Sequence, residues 1–145
     1  MTKVFVYGTL MRGYGNNRLM KGQTYLGKGT TLQLYKLFAV GGFPGMKMPM
    51  YDGVAVEGEV WLVDDGCLAR LDSLEGVPVM YKRCDALLQD HEDVQTYIYQ
   101  YDTDRYDECG PRWSGGFNRC EICDHSDPDD PGQVAACNNC QQRQS

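Results

Sequence analysis

The chain has 145 residues, 42% of them apolar and 23% charged, a size that fits one domain able to bury a core without disulfides. A formal net charge of −6 opposes non-specific attraction to nucleic acid and to anionic membrane surfaces, which leaves a small molecule or another protein as the favoured partner. No apolar run approaches the roughly 18 to 20 residues of a membrane span, and the first is too short for a signal peptide, so a cytoplasmic location is expected.

Taken in chain order, Val4, Phe5, Val6 and Tyr7 are residue types that suit a half-buried strand over 3–7. The run stops at once on Gly8 and Thr9. Two readings stay open: the pair punctuates an edge strand, or a turn there points several N–H groups the same way as an anion-binding nest. In "MRGYGNNRLM" either Asn16 or Asn17 is placed to cap a short helix. Residues 25–40, "YLGKGTTLQLYKLFAV", supply one or two strands, and "FPGMKMP" with its two prolines predicts a turn-rich connection over 43–49. A strand-like alternation then runs from Val54 to Val63.

The one convincing helix is "DDGCLARLDSLEG". Asp64 or Asp65 caps its start, Leu68, Leu71 and Leu74 recur at i, i+3 spacing, and Gly76 with Pro78 ends it. Beyond it, "RCDALLQD" and "VQTYIYQYD" predict a hairpin across "HED". About six strands with one or two helices describe an α+β chain built on a curled or closed, antiparallel-rich sheet.

Glu75 is the most informative carboxylate. It sits near a helix C-terminus, where the dipole disfavours negative charge, and is followed by Val77, Pro78, Val79 and Met80. A carboxyl in an apolar wall has a raised pKa and can take and return a proton near neutral pH. The competing reading is a solvent-facing helix glutamate, and Asp64 and Asp72 read as capping and surface residues.

These pieces occur in a specific order. "VFVYGTLMRGYGNNRLM", "GGFPGM", "EGEVWLVDDGCLARLDSLEGVPVMYKR" and "YDECGPRWSGGFNR", the last with Tyr106, Asp107, Gly110, Pro111, Asn118 and Arg119, together resemble the γ-glutamylcyclotransferase-like superfamily, most of all its γ-glutamylamine cyclotransferase (AIG2-like) branch. The likeness spans residues 1–119, with Arg112 where that branch often has a histidine. The resemblance implies a small mixed barrel of about six strands with a pocket at one end. It implies that Tyr7, Gly8, Thr9 and Leu10 form the loop holding the polar atoms of a γ-glutamyl unit, that Glu75 is the catalytic acid/base, and that Tyr81 lines the pocket. Arg83 is a candidate for charge pairing beside it or for a structural salt bridge. The expected activity is release of 5-oxoproline and a free amine from γ-glutamyl amines or peptides, with no cofactor for catalysis. A non-catalytic binder using the same pocket is the alternative.

Seven cysteines divide into two groups. Cys67, Cys84 and Cys109 are scattered and read as reduced, packed thiols. Cys120, Cys123, Cys137 and Cys140 form two C-x-x-C pairs within residues 120–145, a segment with too few large apolar groups to make its own core. The spacing matches a Cys₄ zinc knuckle, predicting a structural Zn²⁺ in an extension outside the family pattern. Two disulfides or an unligated tail are the alternatives. Five acidic residues in this segment against Arg143 argue against nucleic acid and leave a homodimer or protein-partner surface as its expected further role.

Overall fold

A computed structural model describes residues 1–114 of the chain. Among them are eight strands and one α-helix: β1 (Thr2–Val6), β2 (Thr24–Thr30), β3 (Lys36–Ala39), β4 (Pro44–Lys47), β5 (Glu57–Val63), α1 (Asp65–Glu75), β6 (Tyr81–Ala86), β7 (Val94–Tyr99) and β8 (Glu108–Gly110). They form two sheets, ordered β2-β5-β1-β7-β6 and β4-β3-β8. The α+β class stands, and the expected six strands become eight.

β1 is the centre of the larger sheet, antiparallel to β5 and parallel to β7. Central position explains its composition: Val4, Phe5 and Val6 are all buried, because a strand covered on both faces needs an unbroken apolar run. β6 and β7 form the anticipated hairpin, with Tyr81 opposite Tyr99 and Ala86 opposite Val94. The strand expected from Val54 begins at Glu57, although Val54 itself bridges Tyr35.

Residues 43–49 correct the sequence reading. Instead of a loop, Pro44–Lys47 is strand β4, paired with β3 at the edge of the smaller sheet. A proline is tolerated there because it opens an edge strand and no ladder bond needs its missing N–H. Gly45 has a comparable reason: a Cβ on it would lie 2.8 Å from Tyr99 Cγ and 2.9 Å from Val40 Cγ2. The seventh and eighth strands were hidden for opposite causes, β4 by its proline and β8 by having only three residues.

The helix matches its signals closely. The Asp64 carboxylate accepts the Cys67 N–H at 2.7 Å, and Gly76 ends α1 in the left-handed region with φ 66°. The Val77 N–H bonds the Asp72 carbonyl at 3.0 Å and the Gly76 N–H the Ser73 carbonyl at 3.2 Å, the paired closure of a Schellman motif. Its buried face is Cys67 and Leu71; Leu74 is 42% exposed, so the i, i+3 leucine row tilts out of the core at its end. The short helix near Asn16 is a 3-10 turn, Asn17–Met20, without a side-chain cap bond.

Gly58 shows how tightly β5 lies on the central strand, since a Cβ there would stand 2.4 Å from the Val6 carbonyl oxygen and 2.8 Å from the Phe5 ring. Gly58→Ala is therefore expected to destabilise the fold by about 1–3 kcal/mol or more, read as a lowered melting temperature. Gly15→Ala, where a Cβ meets nothing within 4 Å, should melt close to wild type.

Candidate active site

Where β1 ends, the chain makes a turn closed by the Met11 N–H on the Gly8 carbonyl at 3.1 Å. Two asparagines hold it: Asn16 Nδ2 donates to Thr9 Oγ1 and Asn17 Nδ2 to the Leu10 carbonyl, both at 2.9 Å. Beyond the turn, Arg12 donates its backbone N–H at 3.0 Å to the buried Glu59 carboxylate, which also accepts Trp61 Nε1 at 3.1 Å. Sequence reading had not singled out Glu59. The N–H groups of Gly8, Thr9 and Leu10 have no acceptor among the described residues. They stand at a pocket of about 350 Å³, its open mouth included.

Tyr7, Gly8, Thr9, Leu10, Glu75 and Tyr81 all line that one pocket. Each was named from the sequence, and elements far apart in the chain bring them together: the end of β1, the last residue of α1 and the first of β6. Phe43, Pro44 and Tyr97 line it as well, and none of these was singled out by residue from the sequence. Phe43 and Pro44 were hidden by the loop reading, and Tyr97 is one of ten tyrosines in a strand that merely alternates.

Gly8 is a glycine for a reason other than backbone freedom. A Cβ on it would meet Pro44 Cγ at 2.7 Å, so the residue gives β4 room against the loop. Two phenols secure β4 from the other side. Tyr81 donates to the Pro44 carbonyl at 2.6 Å, and Tyr7 accepts the Met46 N–H at 3.3 Å while donating to the Tyr97 carbonyl at 2.5 Å. Tyr97 in turn donates to Asp72 Oδ1 at 2.8 Å. Every phenolic proton in the pocket is thus committed to a protein acceptor.

Asp72 is the second correction. It is not simply a surface residue, because it accepts Tyr97 and pairs with Arg83, Nε to Oδ1 3.3 Å. Arg83 therefore makes its ion pair on Asp72, beside the pocket, and is not part of the lining. Cys67, Cys84 and Cys109 are free thiols outside the lining. Cys120, Cys123, Cys137 and Cys140 lie outside the described residues, as do any zinc, dimer or partner surface the extension supplies. Among the described residues no helix is long and apolar enough to cross a membrane, and no group of metal-ligating side chains occurs.

Among the described residues Glu75 is the sole charged side chain of the lining. It forms no hydrogen bond or ion pair among the described residues, and burial raises its pKa to about 7. Burial also pushes the phenols of Tyr7, Tyr81 and Tyr97 up, with Glu75 adding to each. The site offers one carboxyl with a pKa near neutrality, unused N–H donors in the same lining, and phenolic oxygens whose protons are committed elsewhere.

The comparisons decide the family. Residues 4–117 match the profile described as γ-glutamyl cyclotransferase, AIG2-like. The chain belongs to this family. It is 41% identical to a protein of Vibrio cholerae provisionally named γ-glutamylcyclotransferase, over 67% of this chain and 81% of that one. It is 32% identical to the γ-glutamylaminecyclotransferase of Homo sapiens, over 77% and 93%. The crystal structure of an AIG2-like protein from Mus musculus superimposes with a TM-score of 0.56 at 30% identity, over 71% of this chain and 78% of that one. The relatives carry cyclotransferase names, so the chain is a member of an enzyme family.

The raised Glu75 pKa has a consequence for stability. Between the ordinary value of 4.5 and the folded value of about 7, the folded state binds the proton more tightly than the unfolded one. Stability is then lost as pH rises through this window, by up to about 3 kcal/mol. Glu75→Gln removes the loss. The variant should melt above wild type at pH 8 and near it at pH 4.5; a gap independent of pH would place the carboxyl in water.

Proposed function

We propose that the protein is a cyclotransferase acting on γ-glutamyl amines or γ-glutamyl peptides, releasing 5-oxoproline and a free amine, with Glu75 as general acid and base. The supporting observation is Glu75 itself: a lone, half-buried carboxyl with a pKa near 7, in a pocket also lined by residues with unpaired backbone N–H groups. The names of the family's relatives, which refer to γ-glutamyl compounds, support a substrate of this class.

In a γ-glutamyl amide the α-amine lies a few atoms from its own γ-carbonyl carbon. A bond forms between that nitrogen and that carbon, the amide C–N bond breaks, and a five-membered lactam leaves with no water consumed. The substrate supplies its own nucleophile, so the main task is to fold the glutamyl arm into attack geometry, where effective molarities reach on the order of 10⁵ to 10⁸ M. Glu75 takes the ammonium proton and returns one to the departing nitrogen, a role worth roughly 10²- to 10⁴-fold. With no cationic side chain in the lining among the described residues, negative charge on the substrate falls to the N–H groups of Gly8, Thr9 and Leu10, as α-carboxylate or developing oxyanion.

The test is 5-oxoproline release from a panel of γ-glutamyl amines and dipeptides, with calorimetric affinity for the same compounds. Glu75→Gln should lower turnover roughly 10²-fold or more while changing affinity little. Wild-type kcat/KM should fall below about pH 7, where Glu75 is protonated. Binding without conversion by any panel member would make the protein a sequestering binder. Full turnover in the variant would remove Glu75 from the mechanism.

For the extension we propose one structural zinc on Cys120, Cys123, Cys137 and Cys140, carried by the spacing of the two C-x-x-C pairs. Metal analysis of protein purified from metal-replete expression should find about one zinc per chain. None, or four thiols tied in disulfides, discards it.

A further inference from the structure

The proposed chemistry uses Glu75 and the turn after β1 but leaves Tyr97, Asp72 and Arg83 without a role. Tyr97 is 2% exposed yet lines the pocket. Its hydroxyl donates to Asp72 Oδ1 at 2.8 Å, and Arg83 Nε meets the same oxygen at 3.3 Å. Asp72 and Glu75 lie three residues apart on α1 and so share a helix face. One helical turn therefore presents two carboxylates, of which one is held by a cation and a phenol and the other is left alone.

We infer that Tyr97 is a substrate-positioning residue: with its own proton held on Asp72, its phenolic oxygen accepts an N–H of the substrate's α-ammonium group beside Glu75. The inference rests on the reading of the substrate given above. A phenol carries one proton and two acceptor lone pairs. Anchoring that proton on a charged acceptor fixes the direction of the lone pairs and strengthens their hold on a cationic donor. Tyr81 is anchored likewise on the Pro44 carbonyl, whereas the oxygen of Tyr7 is already occupied by the Met46 N–H. Asp72 and Arg83 act through Tyr97. Arg83 has a second effect, because it balances a charge on the same face as Glu75. The titratable groups sharing the lining with Glu75 are then Tyr7 just after β1, Tyr81 from β6 and Tyr97 from β7, with the Asp72–Arg83 pair beside the pocket and Cys84 acting on Tyr7.

The probe is a pair of ligands, a γ-glutamyl amide and its glutaramic acid analogue lacking the α-amine, titrated calorimetrically at pH 8 into the full chain. Wild type should favour the amine-bearing ligand, and Tyr97→Phe should reduce that preference roughly tenfold or more while leaving affinity for the analogue unchanged. Should Tyr97→Phe melt at assay temperature, Asp72→Asn, at a half-exposed position, carries the same comparison and should reduce the preference in the same direction. In turnover, Arg83→Gln should raise the pH at which kcat/KM falls, and adding Asp72→Asn should bring it back, since the unbalanced charge is then gone. Equal preference in wild type and in folded Tyr97→Phe overturns the inference, as does a wild type indifferent to the α-amine. A protein that prefers the amine through Tyr97 yet forms no 5-oxoproline leaves the inference standing and overturns the catalytic reading instead.

Discussion

A single half-buried carboxyl with no cation paired to it among the described residues is the constraint around which the site is arranged. A buried carboxylate normally recruits an arginine, a lysine or several N–H donors, each of which would lower its pKa and disable it as a base near neutrality. Here the nearby cation, Arg83, is taken by Asp72. The nearby phenols give their protons to Tyr97 C=O, Pro44 C=O and Asp72. Burial alone then sets Glu75 near 7, the range in which a proton can be both accepted and returned.

The same bonds that disarm the phenols as donors also assemble the pocket. Tyr7 and Tyr81 reach from the larger sheet to β4 of the smaller one, and Gly8 yields the space that Pro44 fills. Closing the two sheets and shaping the pocket wall are one event. On the other side, Asn16, Asn17 and Glu59 hold the turn after β1 by its side-chain hydroxyl, a carbonyl and the Arg12 N–H, leaving the N–H groups of Gly8, Thr9 and Leu10 for a ligand. These unpaired donors belong to residues that line the pocket, where a ligand can accept them.

Much was legible in the sequence because it was local. The strand expected over 3–7 and found at Thr2–Val6, the helix with Asp64 at its start and Gly76 at its end, and the hairpin of β6 and β7 all follow from short-range periodicity, caps and turn residues. Glu75 stood out locally as a carboxylate at a helix C-terminus against an apolar segment, but that pattern alone also allowed a solvent-facing glutamate, and the family likeness made it the candidate. The order of motifs carried the family likeness, including Tyr7, Gly8, Thr9, Leu10 and Tyr81 around one pocket. What stayed hidden was β4, whose proline reads as a turn until an edge position makes its missing N–H harmless.

The sequence by itself therefore determined most of the elements, the ends of the helix and the residue types able to do proton chemistry, since these depend on neighbours within a few positions; β4 and β8 lay beyond it. Only the tertiary structure decided which groups are left free. Asp72 reads as a surface residue until β6 and β7 bring Arg83 and Tyr97 onto it. Tyr97 is one tyrosine among many until its hydroxyl finds an acceptor 25 residues away. Whether a titratable side chain is spent on structure or available to a ligand depends on long-range pairing, because desolvation and hydrogen-bond partnership belong to positions in space and not to positions along the chain.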